Sequence, residues 1–205
     1  MINIGISVEG QTEFEFVNKV LVEYFLGYGI TLIPIPMHGN ISVDRIESEI
    51  KKLLPRYHYV TTFYDLYGFK KVGSLTAEEL ENKISSRLKN NPRSKRLIPY
   101  IQKYEFETLL FSKPSVYEDL LGCGAKKEVD DIIRSCGGSI ENINNSKETA
   151  PSKRLEKLFN KYNEKYNKVF YGVGVIEDIG LDIILDKCDR FRDWFYKIQK
   201  LGINS

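Results

Sequence analysis

Apolar and polar positions along the chain change period several times, and each change marks an element. Ile2 to Val8 is a short, largely apolar run of the kind that forms a buried strand. After Glu9 and Gly10 the period becomes helical, with Phe14, Val17, Leu21, Tyr24, Phe25 and Tyr28 in one stripe. Thr12 and Glu15 have the spacing of a capping box at its start. Thr31 to Met37 reads as a second strand, and Pro34 and Pro36 assign it an edge or irregular pairing. His38-Gly39-Asn40 is a turn, and a helix from Ser42 puts Val43, Ile46, Ile50, Leu53 and Leu54 on one face. Tyr57 to Tyr64, rich in β-branched and aromatic residues, is the clearest strand, and it stops on Asp65. Thr76 and Glu79 make a second capping box before a helix carrying Leu80, Ile84 and Leu88. Arg96 to Gln102 is a further short strand, followed by Glu105-Phe106-Glu107.

The order β-α-β-α-β-α-β predicts an α/β fold, with right-handed crossovers and a mainly parallel sheet flanked by helices. Residues 122–150 break the alternation. Glycines near Cys123 and Cys136, then Asn142, Asn144, Asn145 and Ser146, read as a lobe or insertion with a helix from Lys126 to Arg134. The C-terminal part is helical, from Ser152 to Tyr162 and again from Leu181 to Leu201. In that last segment Ile184, Leu185, Cys188, Phe191, Trp194, Phe195 and Ile198 form a stripe of core type. The expected organisation is an α/β core over 1–112, a lobe over 113–150 and a helical part over 151–205 packed on the core.

Composition bounds the function without choosing it. A hydrophobic fraction of 42% in 205 residues is enough for one large domain. Basic and acidic residues nearly balance, 30 against 28, so total charge does not announce a nucleic-acid partner. Three cysteines without C-x-x-C spacing point to a reducing cytoplasm and make a poor zinc site. Glu9 and Glu13 interrupt the start where a signal peptide would be apolar, and no run approaches a membrane span.

The candidate chemistry is acidic. The first strand ends on Glu9, with Glu13 in the following helical turn; the third ends on Asp65; the fourth leads to Glu105 and Glu107. In a parallel sheet the carboxyl ends share one edge, where open α/β sheets place ligands. Carboxylates gathered there repel unless a cation neutralises them, and oxygen ligands suit Mg²⁺ or Mn²⁺. Such a cation typically serves phosphate chemistry. Spacing does not choose between Glu105 and Glu107. A first-turn glutamate such as Glu13 or Glu15 also complements the helix dipole without any ligand.

Four motifs carry a resemblance: Val8-Glu9-Gly10-Gln11-Thr12-Glu13, Thr61 to Gly68, Pro99 to Glu107, and Ala150-Pro151-Ser152-Lys153-Arg154-Leu155. In this order they resemble the bacterial family of domain of unknown function 4276, which is Toprim-like and related to the nuclease halves of the overcoming-lysogenization-defect proteins. The resemblance implies a Toprim-like core and a metal-dependent nuclease. Catalytic roles would fall to Glu9, Asp65 and Glu105, and metal-binding roles to Glu9, Glu13, Asp65, Glu105 and Glu107. It also implies a separately encoded ATPase partner of the ABC or SMC type in anti-phage defence, because the chain itself has no Walker sequence. Toprim proteins carry Asp-x-Asp after the third strand; here Asp65-Leu66-Tyr67 keeps only the first aspartate. That departure keeps a second reading open, a non-catalytic module binding nucleic acid or the ATPase. A small-molecule phosphohydrolase is a third.

Ser152, Lys153 and Arg154 open a helix behind Pro151 and are candidates to seat a phosphate, the alternative being a solvated helix start. Lys70, Lys71, Lys89, Arg93, Lys95 and Arg96 are candidates to track a nucleic-acid backbone, DNA or RNA. Tyr64, Tyr67, Tyr100 and Tyr104 are candidates for stacking on bases. Of the two histidines, His58 begins a strand and reads as structural, whereas His38 follows the second strand and can face the acidic edge. Homo-oligomerisation is left open.

Overall fold

Parallel pairing builds the whole sheet of the computed structural model, which describes residues 1–69, 73–144 and 147–203. Strand β1 (Ile2–Val8) lies between β2 (Ile30–Pro36) and β3 (Tyr59–Asp65). Strand β3 pairs on its other side with β4 (Leu97–Ile98) and β5 (Ile101–Gln102). The order β2-β1-β3-β4 puts β2 on the edge, where Pro34 and Pro36 leave no interior ladder unsatisfied. The same order reverses direction between β1 and β3. The chain goes from β1 outward to β2, then crosses back to lay β3 on the opposite flank. This is the topological switch point of a doubly wound sheet.

Alternation along β3 sends side chains to two different packing layers. Val60 and Tyr64 join a buried cluster with Ile46 and Ile50 of α3 (Val43–Leu53) and Leu80 and Ile84 of α4 (Ala77–Arg87). Phe63 points the other way. Its ring lies 5.8 Å from Phe16 of α1 (Gln11–Phe16), 5.5 Å from Tyr100 and 5.6 Å from Trp194. Tyr100 and Trp194 stack at 4.8 Å. Such aromatic pairs add about 0.5–1.5 kcal/mol each beyond the area they bury. The indole N–H of Trp194 donates to Thr61 Oγ1 at 2.8 Å, so the one polar atom of the ring is satisfied inside the layer.

Three local expectations are corrected. The first helix starts at Gln11, not behind Thr12: Gly10 is the extended N-cap, and Glu13 Oε2 accepts its N–H at 2.9 Å. Glycine has no side chain to return the bond, so only half of a capping box exists, and Thr12 is buried instead. Helix α1 continues through a π-helical turn, Val17–Leu21, into α2 (Val22–Leu26). Second, the strand expected over Arg96 to Gln102 is two short ones. Pro99 has no N–H for the ladder. Thr62 bridges the gap, its hydroxyl accepting from Tyr100 N at 2.8 Å and donating to Tyr100 O at 2.7 Å. Third, Leu181 to Leu201 is two helices, α9 (Leu181–Lys187) and α10 (Asp189–Ile203), interrupted at Cys188. They come after α5 (Ser115–Leu121), α6 (Ala125–Ser135), α7 (Pro151–Lys161) and α8 (Lys168–Ile179) in the chain.

The chain divides into two compact units, Met1–Lys103 with Trp194–Ser205, and Tyr104–Asp193. The first holds the sheet. The second is helical and is built on a 3₁₀ segment, Phe106–Ser112, all seven of whose residues are buried. Buried Glu141 in that unit accepts the Arg190 N–H at 3.1 Å, capping the start of α10. Asn145 and Ser146 of the expected lobe lie outside the described residues. No helix among the described residues is long and apolar enough to cross a membrane.

Candidate functional site

Glu9 and Asp65 stand at the carboxyl ends of β1 and β3, the neighbouring strands that flank the switch point. Register pairs Val8 with Phe63 and Asp65 with Gln102, so Glu9 follows directly on a paired stretch of sheet and Asp65 closes one. Asp65 is buried and Glu9 is half-buried, and one oxygen of each, Asp65 Oδ1 and Glu9 Oε2, is wholly shielded. The Glu9 carboxylate lies against Gly68, in the 3₁₀ turn Leu66–Gly68 that follows Asp65. A Cβ placed on Gly68 would meet Glu9 Oε2 at 2.1 Å and Oε1 at 2.5 Å. The missing side chain at residue 68 is therefore the space the Glu9 carboxylate occupies.

The other side of Glu9 is closed by the turn after β2. Gly39 N donates to Glu9 O at 2.9 Å, and Met37 N to Val8 O at 2.8 Å, which extends the β1–β2 pairing past the strand ends. His38, exposed, sits in this turn at the same edge of the sheet as Glu9. His58 is structural as expected, its Nδ1 accepting from Asn3 N at 3.0 Å.

The remaining candidates of the first unit have different surroundings. Glu13 is buried and spends its Oε2 on the Gly10 amide. Tyr64 and Tyr100 are core residues and do not present faces to bases. Tyr64 donates to Ser7 Oγ at 2.7 Å and Tyr100 to Gln102 Oε1 at 2.7 Å. Burial pushes the Tyr64 phenol above its ordinary range. Tyr67 is half-buried in the turn beside Gly68. Lys89, Arg93, Lys95 and Arg96 are exposed but precede β4, so they lie at the amino edge of the sheet, opposite the acids. Lys70 and Lys71 lie outside the described residues.

Glu105 and Glu107 belong to the second unit and have partners there. Glu105 Oε2 accepts the Ser152 N–H at 2.8 Å, so the start of α7 that reads as a phosphate seat holds a carboxylate of the chain itself. Lys153 pairs with Glu156 at 2.7 Å, and Arg154 Nε donates to Thr149 O at 2.9 Å. Glu107 is fully buried. Lys168 Nζ stands 3.3 Å from its Oε2, and the Tyr166 hydroxyl is 3.5 Å from its Oε1. Tyr104, half-buried in the same unit, has a positive φ of 67°.

Burial pushes the Glu107 carboxyl above the usual range; Lys168 opposes the shift and Glu105 adds to it. A carboxyl with a raised folded pKa binds its proton more tightly folded than unfolded. Stability is then lost as pH rises from the unfolded value, about 4.3, through the raised folded one. Glu107→Gln is expected to stabilise the protein at pH 7 and to flatten this fall, because the amide does not titrate. Urea unfolding at pH 4 and pH 7 measures both. A variant less stable at pH 7 would show that the ion pair with Lys168 outweighs the burial.

Sequence reasoning does not single out Gly68, Arg45 or Lys168. Gly68 is marked only by its place three residues after Asp65, and the other two look like ordinary surface cations. Among the described residues no group of three or more histidine, cysteine, aspartate or glutamate side chains stands close enough to hold a metal ion. A cation at the switch point would draw on two carboxylates, Glu9 and Asp65. That donor set fits Mg²⁺, which keeps several waters and takes one or two carboxylates, better than a cage-bound zinc. The family model described as domain of unknown function (DUF4276) matches residues 8–199. No curated protein and no solved structure matches the chain.

Proposed function

We propose, on the premise that the chain belongs to the DUF4276 family, that it is a metal-dependent nuclease acting at the switch-point edge of its sheet. The observation that carries this reading is the pair Glu9 and Asp65 at the ends of adjacent central strands, where doubly wound sheets bind ligands. Glu9 and Asp65 would hold Mg²⁺ or Mn²⁺. When bound, the cation supplies charge neutralisation and an activated water for phosphodiester hydrolysis. The chain's own part is to fix the two carboxylates. Gly68 leaves room for one, and the rigid ends of β1 and β3 set their separation. The resemblance to Toprim-like nuclease domains supports the same reading and extends it to DNA or RNA as substrate. It also supports an ATPase partner in phage defence, and three cysteines without C-x-x-C spacing support action in the cytoplasm. Tyr67 at the place of a second aspartate favours a non-catalytic, nucleic-acid-binding module as the second reading.

Calorimetric titration of Mn²⁺ separates a metal site from a relic. Wild type is expected to bind, and Glu9→Gln, which keeps shape and removes charge, to bind at least about tenfold more weakly. Equal binding by the two proteins would remove Glu9 from the site.

A further inference from the structure

His38, Gly39 and Asn40 have φ of 56°, 73° and 52°, three left-handed residues in succession. Glycine adopts that conformation freely, whereas His38 and Asn40 hold it at a modest cost that a restraint from outside the turn offsets. The restraint is Arg45. From the first turn of α3 its Nη1 donates to Gly39 O and to Asn40 O, the latter at 3.2 Å, and its Nη2 donates to Met37 O. Three carbonyls of one turn thus converge on one guanidinium. The base of Arg45 is itself fixed, because Ser42 Oγ caps α3 by accepting the Arg45 N–H at 3.3 Å.

We propose that Arg45 is a positioning residue for Glu9: it clamps the strained turn, and the turn fixes the backbone from which the Glu9 carboxylate projects. The link is the Gly39 N–H on Glu9 O at 2.9 Å. With that carbonyl held, the peptide plane after Glu9 cannot rotate, and the carboxylate stays against Gly68. Release of Arg45 frees the turn to relax toward negative φ, which withdraws the Gly39 amide and loosens Glu9. This inference rests on the reading of Glu9 and Asp65 as a cation site. Arg45 is not a ligand of the proposed cation and acts on Glu9 through residues 37–40.

The test is Mn²⁺ titration of wild type, Arg45→Ala, Arg45→Lys and the double variant Arg45→Ala with His38→Gly, each with its thermal midpoint. Arg45→Ala is expected to lose about tenfold or more in Mn²⁺ affinity, the range seen when groups behind metal ligands are removed. Arg45→Lys keeps the charge without the planar fork and is expected to fall between the two. The glycine in the double variant is expected to recover part of the loss, because it accepts positive φ without the clamp. A purely structural arginine would lower the thermal midpoint and leave the affinity of the folded protein unchanged. That result in Arg45→Ala, or in Arg45→Lys if the alanine variant does not fold, overturns the inference while the metal site stands. Wild type that binds no Mn²⁺ overturns the metal site and this inference together.

Discussion

Asp65→Asn is expected to reduce Mn²⁺-dependent cleavage of nucleic acid by about a hundredfold or more while the thermal midpoint stays within a few degrees. Removing one preorganised charge stabiliser from a hydrolytic site typically has an effect of this size. Asparagine keeps the volume of the side chain at the end of β3, so the fold should tolerate it. Asp65 is buried, and a neutral side chain there removes the burden of desolvating a charge. The assay uses single- and double-stranded DNA and RNA oligonucleotides, with and without the proposed ATPase partner. Cleavage that survives both the substitution and a chelator would rule out the proposed mechanism. Wild type that binds the oligonucleotides but cuts none of them with the partner present would favour the non-catalytic module.

Gly68→Ala is expected to impair function through a single added methyl group. The φ of Gly68 lies outside the left-handed region, so alanine fits the backbone, and the whole effect falls on Glu9. Its Cβ would stand 2.1 Å from Glu9 Oε2, well inside contact distance. The carboxylate must leave its place or the turn after Asp65 must shift; either change displaces Glu9 relative to the turn that follows Asp65. Mn²⁺ affinity and cleavage should both fall at least about tenfold, with urea stability changed by less than about 1 kcal/mol. A variant with wild-type affinity would mean that Glu9 does not ligate from the position it occupies against Gly68.

The elements set by period were legible from residues alone. Alternation and β-branched content marked β1 and β3, prolines put β2 at the edge, and Thr76 with Glu79 announced α4 through a real capping box. What the sequence hid is tertiary in origin. A glycine N-cap has no side-chain signature, so the first helix seemed to start at Thr12. Thr61 and Thr62 look like ordinary strand residues, yet their hydroxyls carry the pairing across Pro99. Val169 to Val175, with two glycines, has the composition of a strand but is helical in α8; Asn167 caps it by accepting from Val169 and Phe170. Glu9 and Asp65, the acids of the proposed site, were legible as strand ends, and the structure has both at the carboxyl edge of the sheet. Tyr64 and Tyr100 were misjudged as base-stacking residues because nearness to the acids in sequence says nothing about which way a ring points. The clamp on the turn after β2 was illegible too, since three carbonyl acceptors leave no trace in side-chain identity.

The sheet-bearing unit is discontinuous in the chain, and this sets an order of events during synthesis. Residues 1–103 emerge from the ribosome before the second unit, but Trp194 and Phe195, which cover Phe63, Tyr100 and Phe25, emerge only after it. Domains usually fold as they appear, N-terminal part first. Here the nascent sheet keeps one aromatic face uncovered, and Thr61 waits for the indole N–H, while the ninety residues of the second unit are translated. At about 5–20 residues per second that interval lasts several seconds. The sheet of the nascent protein is therefore exposed to aggregation and to chaperone capture throughout the translation of the second unit.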